Sequence, residues 1–222
     1  MNNIITRPAI GAVVEGKGEY YCYPSLVSRI VNTPGLYIPV VYAGGIGNIR
    51  KHLHENLSDL VLSHKPYIAV ITIDLRDNLE SGFTYCQELK EFIVKQARDW
   101  IISVQDNERF QPLPVNIEVV IQIQQFESWY LSDPVSLANT GFFDVTGLSP
   151  GDTDTTILNP ANFLEDHKMC ERKLKDPQFA KEIISGLDPS VMRTNSKSFD
   201  KFYREISKAY TSWCEECGFV IP

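Results

Sequence analysis

Short runs of apolar residues alternate along the chain with longer stretches in which apolar residues recur every three or four positions. Four runs predict β-strands, at residues 10–14, 37–42, 67–73 and 115–123. The third run, YIAVITI, is nearly all apolar, as expected for a strand buried on both faces. Pro39 lies inside the second run, so that strand is predicted at an edge or at a bulge.

Helical periodicity fills the gaps between these strands, at residues 20–31, 49–63 and 83–103. Strands that alternate with helices favour an α/β fold, with a mainly parallel sheet flanked by helices on both faces.

The pattern changes after residue 140. Residues 146–163 are rich in Gly, Pro, Ser, Thr and Asp and predict a surface loop. Helical patterns follow at residues 163–174, 179–184 and 198–217. We therefore divide the chain into an α/β core, residues 1–140, and a C-terminal loop and helical extension, residues 141–222, packed on the core as one compact unit.

Composition narrows the protein class. Hydrophobic residues make up 43% of the chain and charged residues 22%, which excludes wholesale disorder. No apolar run approaches the roughly 20 residues that span a bilayer, and the N-terminus lacks the features of a signal peptide. We expect a cytoplasmic protein that does not enter the membrane. The five scattered cysteines argue against a disulfide framework.

The formal net charge of −7 argues against broad non-specific binding to nucleic acid, which depends on neutralising phosphates. It is compatible with a metal-dependent nuclease, because such an enzyme carries acidic residues in its site and can keep its basic residues in a local stripe.

Acidic residues follow three of the predicted strands. Glu15 follows the first strand, Asp74 and Asp77 follow the third, and Glu127 follows the fourth. The carboxyl ends of parallel strands lie along one edge of a sheet, where ligands usually bind. Clustered carboxylates need a counter-charge, and a hard cation such as Mg²⁺ (or Mn²⁺) prefers oxygen ligands.

Each of these acids also has a purely structural interpretation. Glu15 could favour the first turn of a helix through the helix dipole, Asp74 could be an N-cap, and Glu127 could form an ion pair. Three acids after three predicted strands nevertheless favour a shared site.

Several segments carry a resemblance to a known family. VVEGKGE, ITIDLRDN, QQFESWYLSD, NPANFLEDHK and NSKSFDKF occur in the order seen in the DUF4276 family. That family is similar to Toprim-like proteins, including the nuclease domain of OLD-type proteins. The resemblance covers most of the chain, and it implies a Toprim-like fold for the core.

The resemblance also implies roles for individual residues. Glu15 corresponds to the Toprim glutamate that acts as general acid/base or metal ligand, and Asp74 to the first aspartate of a Mg²⁺-binding DxD motif. The second aspartate position holds Arg76, and Asp77 comes next. Either Asp77 takes that role, or Arg76 fills the position and metal binding is weakened or lost.

Glycines and basic residues complete the candidate set. Gly45 and Gly47, in AGGIGNIRKHL, predict either a tight turn or a phosphate-binding helix start. We also assign phosphate or nucleic-acid contact to Lys17, Arg193 and Lys197, against the alternative of helix capping and a solvated face. Glu19, in the VEGKGE segment, is a further candidate acid.

Our leading hypothesis is a Mg²⁺-dependent, Toprim-like nuclease or phosphotransfer protein. The resemblance implies a role in prokaryotic anti-phage defence beside an ATPase partner. The alternative is a non-catalytic Toprim-like module with a degraded metal site that binds nucleic acid or protein. A nucleotide-binding regulator that uses the glycine turn at residues 44–47 is a third hypothesis.

Overall fold

The structure is a computed structural model that describes residues 7–45, 47–148 and 151–219. The side chains of Asp77, Glu80 and Ser81 are outside that description.

A four-stranded, all-parallel sheet forms the centre of the fold, in the order β2-β1-β3-β4. The strands are β1 (Ile10–Val14), β2 (Val40–Tyr42), β3 (Ile68–Asp74) and β4 (Asn116–Gln122). The predicted edge position of the second strand is confirmed. The strand is also shorter than predicted and begins directly after Pro39, whose carbonyl accepts a hydrogen bond from the N–H of Ala12.

Ten α-helices lie within the described residues. They are α1 (Lys17–Ile30), α2 (Asn48–His64), α3 (Cys86–Val104), α4 (Glu127–Leu131), α5 (Pro134–Asn139), α6 (Thr153–Thr156), α7 (Pro160–Asp166), α8 (Pro177–Gly186), α9 (Pro189–Asn195) and α10 (Lys197–Cys217). Two 3₁₀ helices, Arg76–Ser81 and Glu108–Phe110, precede α3 and β4. No helix in this part of the chain is both long enough and apolar enough to cross a membrane.

Two predictions in the C-terminal part of the chain, one of a loop and one of a helix, were wrong. The segment 146–163, predicted as a loop, contains α6 and the start of α7. Its polar residues serve as caps, since the Asn159 side chain accepts the N–H of Asn162 and Pro160 occupies the first turn. The helix predicted at 163–174 ends at Asp166, because Lys168 then pairs with Phe143 in an antiparallel bridge.

The sheet separates two hydrophobic clusters. Alternate residues of β1 and β3 enter opposite clusters, as the two-residue period of a strand requires: Val14 and Val70 face one cluster, whereas Val13 and Ile71 face the other. The first cluster includes residues of α1, α8 and α10, and the second includes residues of α2 and α3. Helices therefore cover both faces, as predicted.

The C-terminal extension shares the first cluster with the core. Phe199 and Phe202 of α10 are fully buried in it, and the ring of Phe202 lies 5.1 Å from those of Tyr23 and Trp129. A buried carboxylate fixes the start of α10, because Asp154 accepts the backbone N–H of Ser198 at 2.7 Å. The extension thus completes one layer of the fold.

Candidate functional site

The strand order places a crevice between β1 and β3. The chain runs outward from β1 to β2 and then returns past β1 to β3 and β4, so β1 and β3 are the strands at which the order reverses. Ligands of open α/β sheets bind outside the carboxyl ends of the strands at such a point. Glu15 directly follows β1, and Asp74 is the last residue of β3.

The Glu15 carboxylate is buried in this crevice, with 2% of the residue exposed, and N–H groups from separate segments hold it. One oxygen accepts the backbone N–H of Gly47 at 2.6 Å. The other accepts the backbone N–H of Asp74 at 3.2 Å and the side-chain amide of Asn78 at 3.3 Å. Glu15 therefore joins the ends of β1 and β3 to the start of α2.

Asn78 is a site residue that the sequence reasoning missed. It is fully buried, and its amide N–H₂ also donates to the Asp74 carbonyl at 2.6 Å. Its amide oxygen accepts the Arg50 Nε–H at 2.6 Å. Arg50 is thereby linked through one side chain to Glu15. Asn78 ends the quoted segment ITIDLRDN, so its place in the motif was visible, but its contacts were not.

The glycine turn adopts backbone that other residues rarely adopt. Gly47 caps α2 with a φ of 74°, and Gly45 has a φ of 110°. The N–H of Gly47, which we considered for phosphate binding, donates to Glu15. A carboxylate of the same chain thus occupies the anion position at this helix start.

Glu19 lies in the first turn of α1, on the face of the sheet that α1 covers. Its carboxyl accepts the Gly16 N–H at 2.5 Å and the Thr72 hydroxyl at 3.1 Å, and only 1% of the residue is exposed. Burial, with a contribution from the charge of Glu15, raises the pKa of Glu19 to about 8.

Two fully buried polar side chains face Glu19 and were also missed by the sequence reasoning. Gln122 ends β4, opposite Asp74 in the strand register. Its amide interacts with the Glu19 carboxyl and limits the rise in the pKa of Glu19, while its amide oxygen has no hydrogen-bond partner within the described structure. The Tyr23 hydroxyl, beside Thr72, likewise has none there. Burial, and then the charge of Glu19, raises the pKa of Tyr23 well above its usual value. Unsatisfied buried polar atoms are rare and call for a ligand, a water molecule or an ion.

The structure separates the residues of the imperfect DxD motif. Asp74 is 8% exposed and adjoins Glu15. Arg76 instead donates to the carbonyl of Leu158 in the C-terminal extension. The side chain of Asp77 lies outside the described residues.

Glu127 lies at the same edge of the sheet but on the α1 side. It is the first residue of α4. Burial raises the pKa of the Cys22 thiol to about 12, and the charges of Glu19 and Glu127 add to that shift. Glu127 is therefore close to the segment of α1 one turn beyond Glu19.

The predicted phosphate contacts lie on the surface. Lys17 is exposed at the start of α1. Arg193 donates twice to Asp200, at 2.7 and 2.9 Å, and Lys197 forms an ion pair with Asp152 at 3.0 Å. These ion pairs are exposed or half-exposed, so each stabilises the fold only weakly.

The donor chemistry of the crevice suits a hard divalent cation. The carboxylates of Glu15, Glu19 and Asp74 and the unpartnered amide oxygen of Gln122 are all oxygen ligands, the kind that Mg²⁺ prefers. No group of three or more His, Cys, Asp or Glu side chains within the described residues is already arranged to hold a metal ion.

Fold and site together define an α/β protein with a buried carboxylate site at the switch point of a parallel sheet. The family model described as Domain of unknown function (DUF4276) matches residues 14–207. The chain belongs to that family, as its motifs predicted. No curated protein and no solved structure matches the chain.

Proposed function

We propose that the crevice between β1 and β3 is a Mg²⁺-dependent, Toprim-like centre for hydrolysis or transfer at a phosphodiester. The observation that supports this most directly is the burial of three carboxyl residues, Glu15, Glu19 and Asp74, at or next to the adjacent ends of β1 and β3, beside the amide oxygen of Gln122. Burying carboxylates is costly unless hydrogen bonds, protons or cations compensate them.

The ion would be held by Asp74 together with Glu19, Gln122 and Glu15, and we retain Asp77 and Glu127 as predicted ligands. Bound there, it would orient the phosphate, activate the attacking water and stabilise the leaving oxygen. Asn78 and Gly47 keep the Glu15 carboxylate oriented through their N–H donors. Arg50, anchored on Asn78, adds positive charge on the α2 side, where phosphate oxygens would be attracted.

Glu19 is suited to hold or transfer a proton in this centre. Its pKa of about 8 keeps the cation-free carboxyl largely protonated at neutral pH. General acids and bases work best when their pKa lies near the operating pH. The neighbouring Thr72 hydroxyl and Gly16 N–H fix its orientation.

One observation favours a second candidate function. Glu15 accepts N–H groups from the end of β3, from the start of α2 and from the Asn78 side chain, a role that stabilises the fold without any ion. Together with Arg76 in the second aspartate position, this supports a non-catalytic module that binds nucleic acid or protein.

Asp74→Asn tests the proposed function, because it keeps the size of the side chain and removes its charge. Mn²⁺ should raise the melting temperature of the wild-type protein, since a ligand that binds only the folded state stabilises it. Asp74→Asn should lose most of that shift. Cleavage of single- and double-stranded DNA and RNA should fall at least roughly a hundredfold, as several kcal/mol of charge stabilisation would be lost.

Glu108→Gln is the matched control. Glu108 is exposed and lies before β4, in the 3₁₀ helix at the opposite end of that strand. The substitution Glu108→Gln removes the same charge as Asp74→Asn and should preserve both the rise in melting temperature caused by Mn²⁺ and cleavage. A wild-type protein that neither gains stability from Mn²⁺ nor cleaves any of the substrates would contradict the catalytic proposal and favour the second candidate.

The cellular setting belongs to the same proposal. The resemblance to OLD-type nuclease domains supports a cytoplasmic role in anti-phage defence beside an ATPase partner. Co-purification of such a partner with the tagged protein from its native cells would support this setting.

A further inference from the structure

A wide groove runs beside the candidate site along α1. It has a volume of about 1250 Å³, and its walls come from α1, the segment leading into β2, and the α8–α9 region. From Tyr20 to Arg29 it follows about 14 Å of helix, at 1.5 Å per residue.

Exposed tyrosine rings line this groove. Tyr20, Tyr21 and Tyr37 are 37%, 44% and 60% exposed. Tyr20 packs edge-on against Tyr21 with 5.0 Å between ring centroids, and the Tyr37 hydroxyl is hydrogen-bonded to His64 Nδ1 at 3.0 Å. These contacts orient the rings while leaving aromatic surface open to solvent. Such surfaces bind unpaired bases by stacking, at little cost in side-chain entropy.

The groove has one more basic than acidic residue in its described lining, although the chain as a whole is acidic. Arg29 and Lys181 line it, and Asp188 is the acidic residue among its lining residues in the described structure. The Arg29 guanidinium is anchored by the carbonyls of Ile184 and Leu187. Tyr203, also in the lining, lies beneath the Arg193 guanidinium, whose charge is paired with Asp200. Arg29 and Lys181, beside aromatic rings, suit a phosphate backbone that carries unpaired bases.

One end of the groove reaches the candidate site. Tyr20 directly follows Glu19 in α1, and its ring contacts Tyr42, the last residue of β2. The Tyr42 hydroxyl lies close to Gly45 of the glycine turn. A strand lying along α1 would therefore arrive at the carboxyl edge of the sheet.

We infer that this groove binds single-stranded nucleic acid and leads it to the crevice between β1 and β3. The direction of delivery rests on the proposed function, whereas binding in the groove requires no metal ion. A duplex should bind more weakly in this groove, because paired and stacked bases cannot place their faces on the tyrosine rings.

Fluorescence anisotropy with a short labelled oligothymidylate tests the inference. In EDTA the wild-type protein should bind this strand more tightly than a duplex of matched length. Tyr20→Ala and Tyr37→Ala should each weaken binding roughly tenfold, the loss expected from one stacked base. Tyr37→Phe keeps the ring and should retain most of the affinity. Tyr85→Ala is the aromatic control, since Tyr85 is 65% exposed just before α3, outside the groove lining.

A charge test accompanies the aromatic test. Lys181→Gln should lower the salt dependence of binding by about 0.7 in log–log slope, the effect of one lost phosphate contact on a single strand. Lys175→Gln, at an exposed lysine outside the groove lining, should leave the slope unchanged.

The outcomes separate this inference from the proposed function. Absence of oligothymidylate binding, or equal losses in Tyr20→Ala and Tyr85→Ala, would overturn the inference even if cleavage persists. Binding that depends on Tyr20 and Tyr37 would support it even if Mn²⁺ produced no cleavage and the catalytic proposal failed.

Discussion

At the scale of single residues, the structure changes the effect on stability that is expected of the substitution Glu15→Gln. Considered from the sequence, Glu15→Gln keeps size and removes charge, so the fold should survive with even a slight gain in stability. The structure shows three N–H groups donating to this carboxylate. A glutamine can offer only one oxygen and must turn its own N–H₂ toward another donor.

Glu15→Gln is therefore expected to destabilise the protein by roughly 1–3 kcal/mol, the usual cost of a buried donor left unsatisfied. Urea unfolding in EDTA measures this change. Any metal-dependent cleavage should also fall, by roughly 10²–10⁴-fold if Glu15 acts as general acid or base. Unchanged stability would contradict the hydrogen-bond network described around Glu15.

Glu19 gives a prediction for pH. Its pKa rises from 4.5 to about 8 on folding, so between these values the folded chain binds more protons than the unfolded chain. The contribution of Glu19 to stability therefore decreases as pH rises from about 4.5 to about 8. Glu19→Gln should remove this decrease, which is on the order of a few kcal/mol, and should be the more stable protein above pH 8. Urea unfolding across that pH range in EDTA measures the difference.

Glu88→Gln is the control for this pH series. Glu88 also lies in the first turn of a helix and accepts a backbone N–H, from Thr84 at 3.2 Å, but it is exposed. Its pH profile should match that of the wild type. If the Glu19→Gln and wild-type profiles were parallel, Glu19 would not be the residue that retains a proton on folding.

At the scale of elements, the start of α10 depends on one residue far away in sequence. Asp154 of α6 is 1% exposed and accepts the Ser198 N–H at 2.7 Å and the hydroxyls of Ser196 and Ser198 at 2.9 and 3.0 Å. Ser198 in turn accepts the indole N–H of Trp129 at 2.9 Å. The polar segment that the sequence indicated as a loop thus caps the longest helix of the extension.

Asp154→Ala should therefore lower the free energy of unfolding by at least roughly 1–3 kcal/mol, because buried donors lose their acceptor. Thermal and urea unfolding measure the loss. Asp144→Ala is the control: Asp144 is exposed and accepts the Thr146 hydroxyl at 2.9 Å, and its loss should change stability by less than about 0.5 kcal/mol. Equal effects of the two substitutions would contradict the capping role of Asp154.

At the scale of the whole molecule, the C-terminal extension covers one face of the sheet. Leu164, Phe179, Phe199 and Phe202 are fully buried in the cluster that also contains Val70 of β3. Each such side chain contributes about 1.5–3 kcal/mol on burial. The division into 1–140 and 141–222 therefore describes the order of the chain, while the two parts share a core.

A fragment of residues 1–140 is accordingly expected not to fold cooperatively. It should lack a sharp thermal transition and should bind a dye specific for exposed apolar surface, whereas the full chain should melt in one step. Circular dichroism and dye fluorescence provide the measurements. A fragment with a cooperative transition near that of the full chain would show that the core is an independent domain.

The sequence by itself determined the elements of the core and the chemistry at their ends. Apolar residues recur every two positions in a strand and every three to four positions in a helix, and this spacing depends only on local backbone geometry. The pattern therefore located the strands, α1, α2 and α10 within a few residues. The family was visible because its motifs are contiguous. Glu15 and Asp74 were identified because both follow strands that the pattern makes parallel. The capped short helices were missed because Asn, Asp and Pro indicate turns and helix starts alike.

The tertiary structure alone decided what surrounds these acids. The order β2-β1-β3-β4 brings Gly47 and Asn78 to Glu15, and Thr72 and Gln122 to Glu19. Local periodicity carries no information on which strands become neighbours, because that choice depends on the packing of both faces at once. The pKa of Glu19 follows from the same packing, since burial of its carboxyl between α1 and the sheet removes its solvation. The groove along α1 that Tyr20, Tyr21 and Tyr37 line likewise forms only where α1, the segment leading into β2 and the C-terminal extension meet.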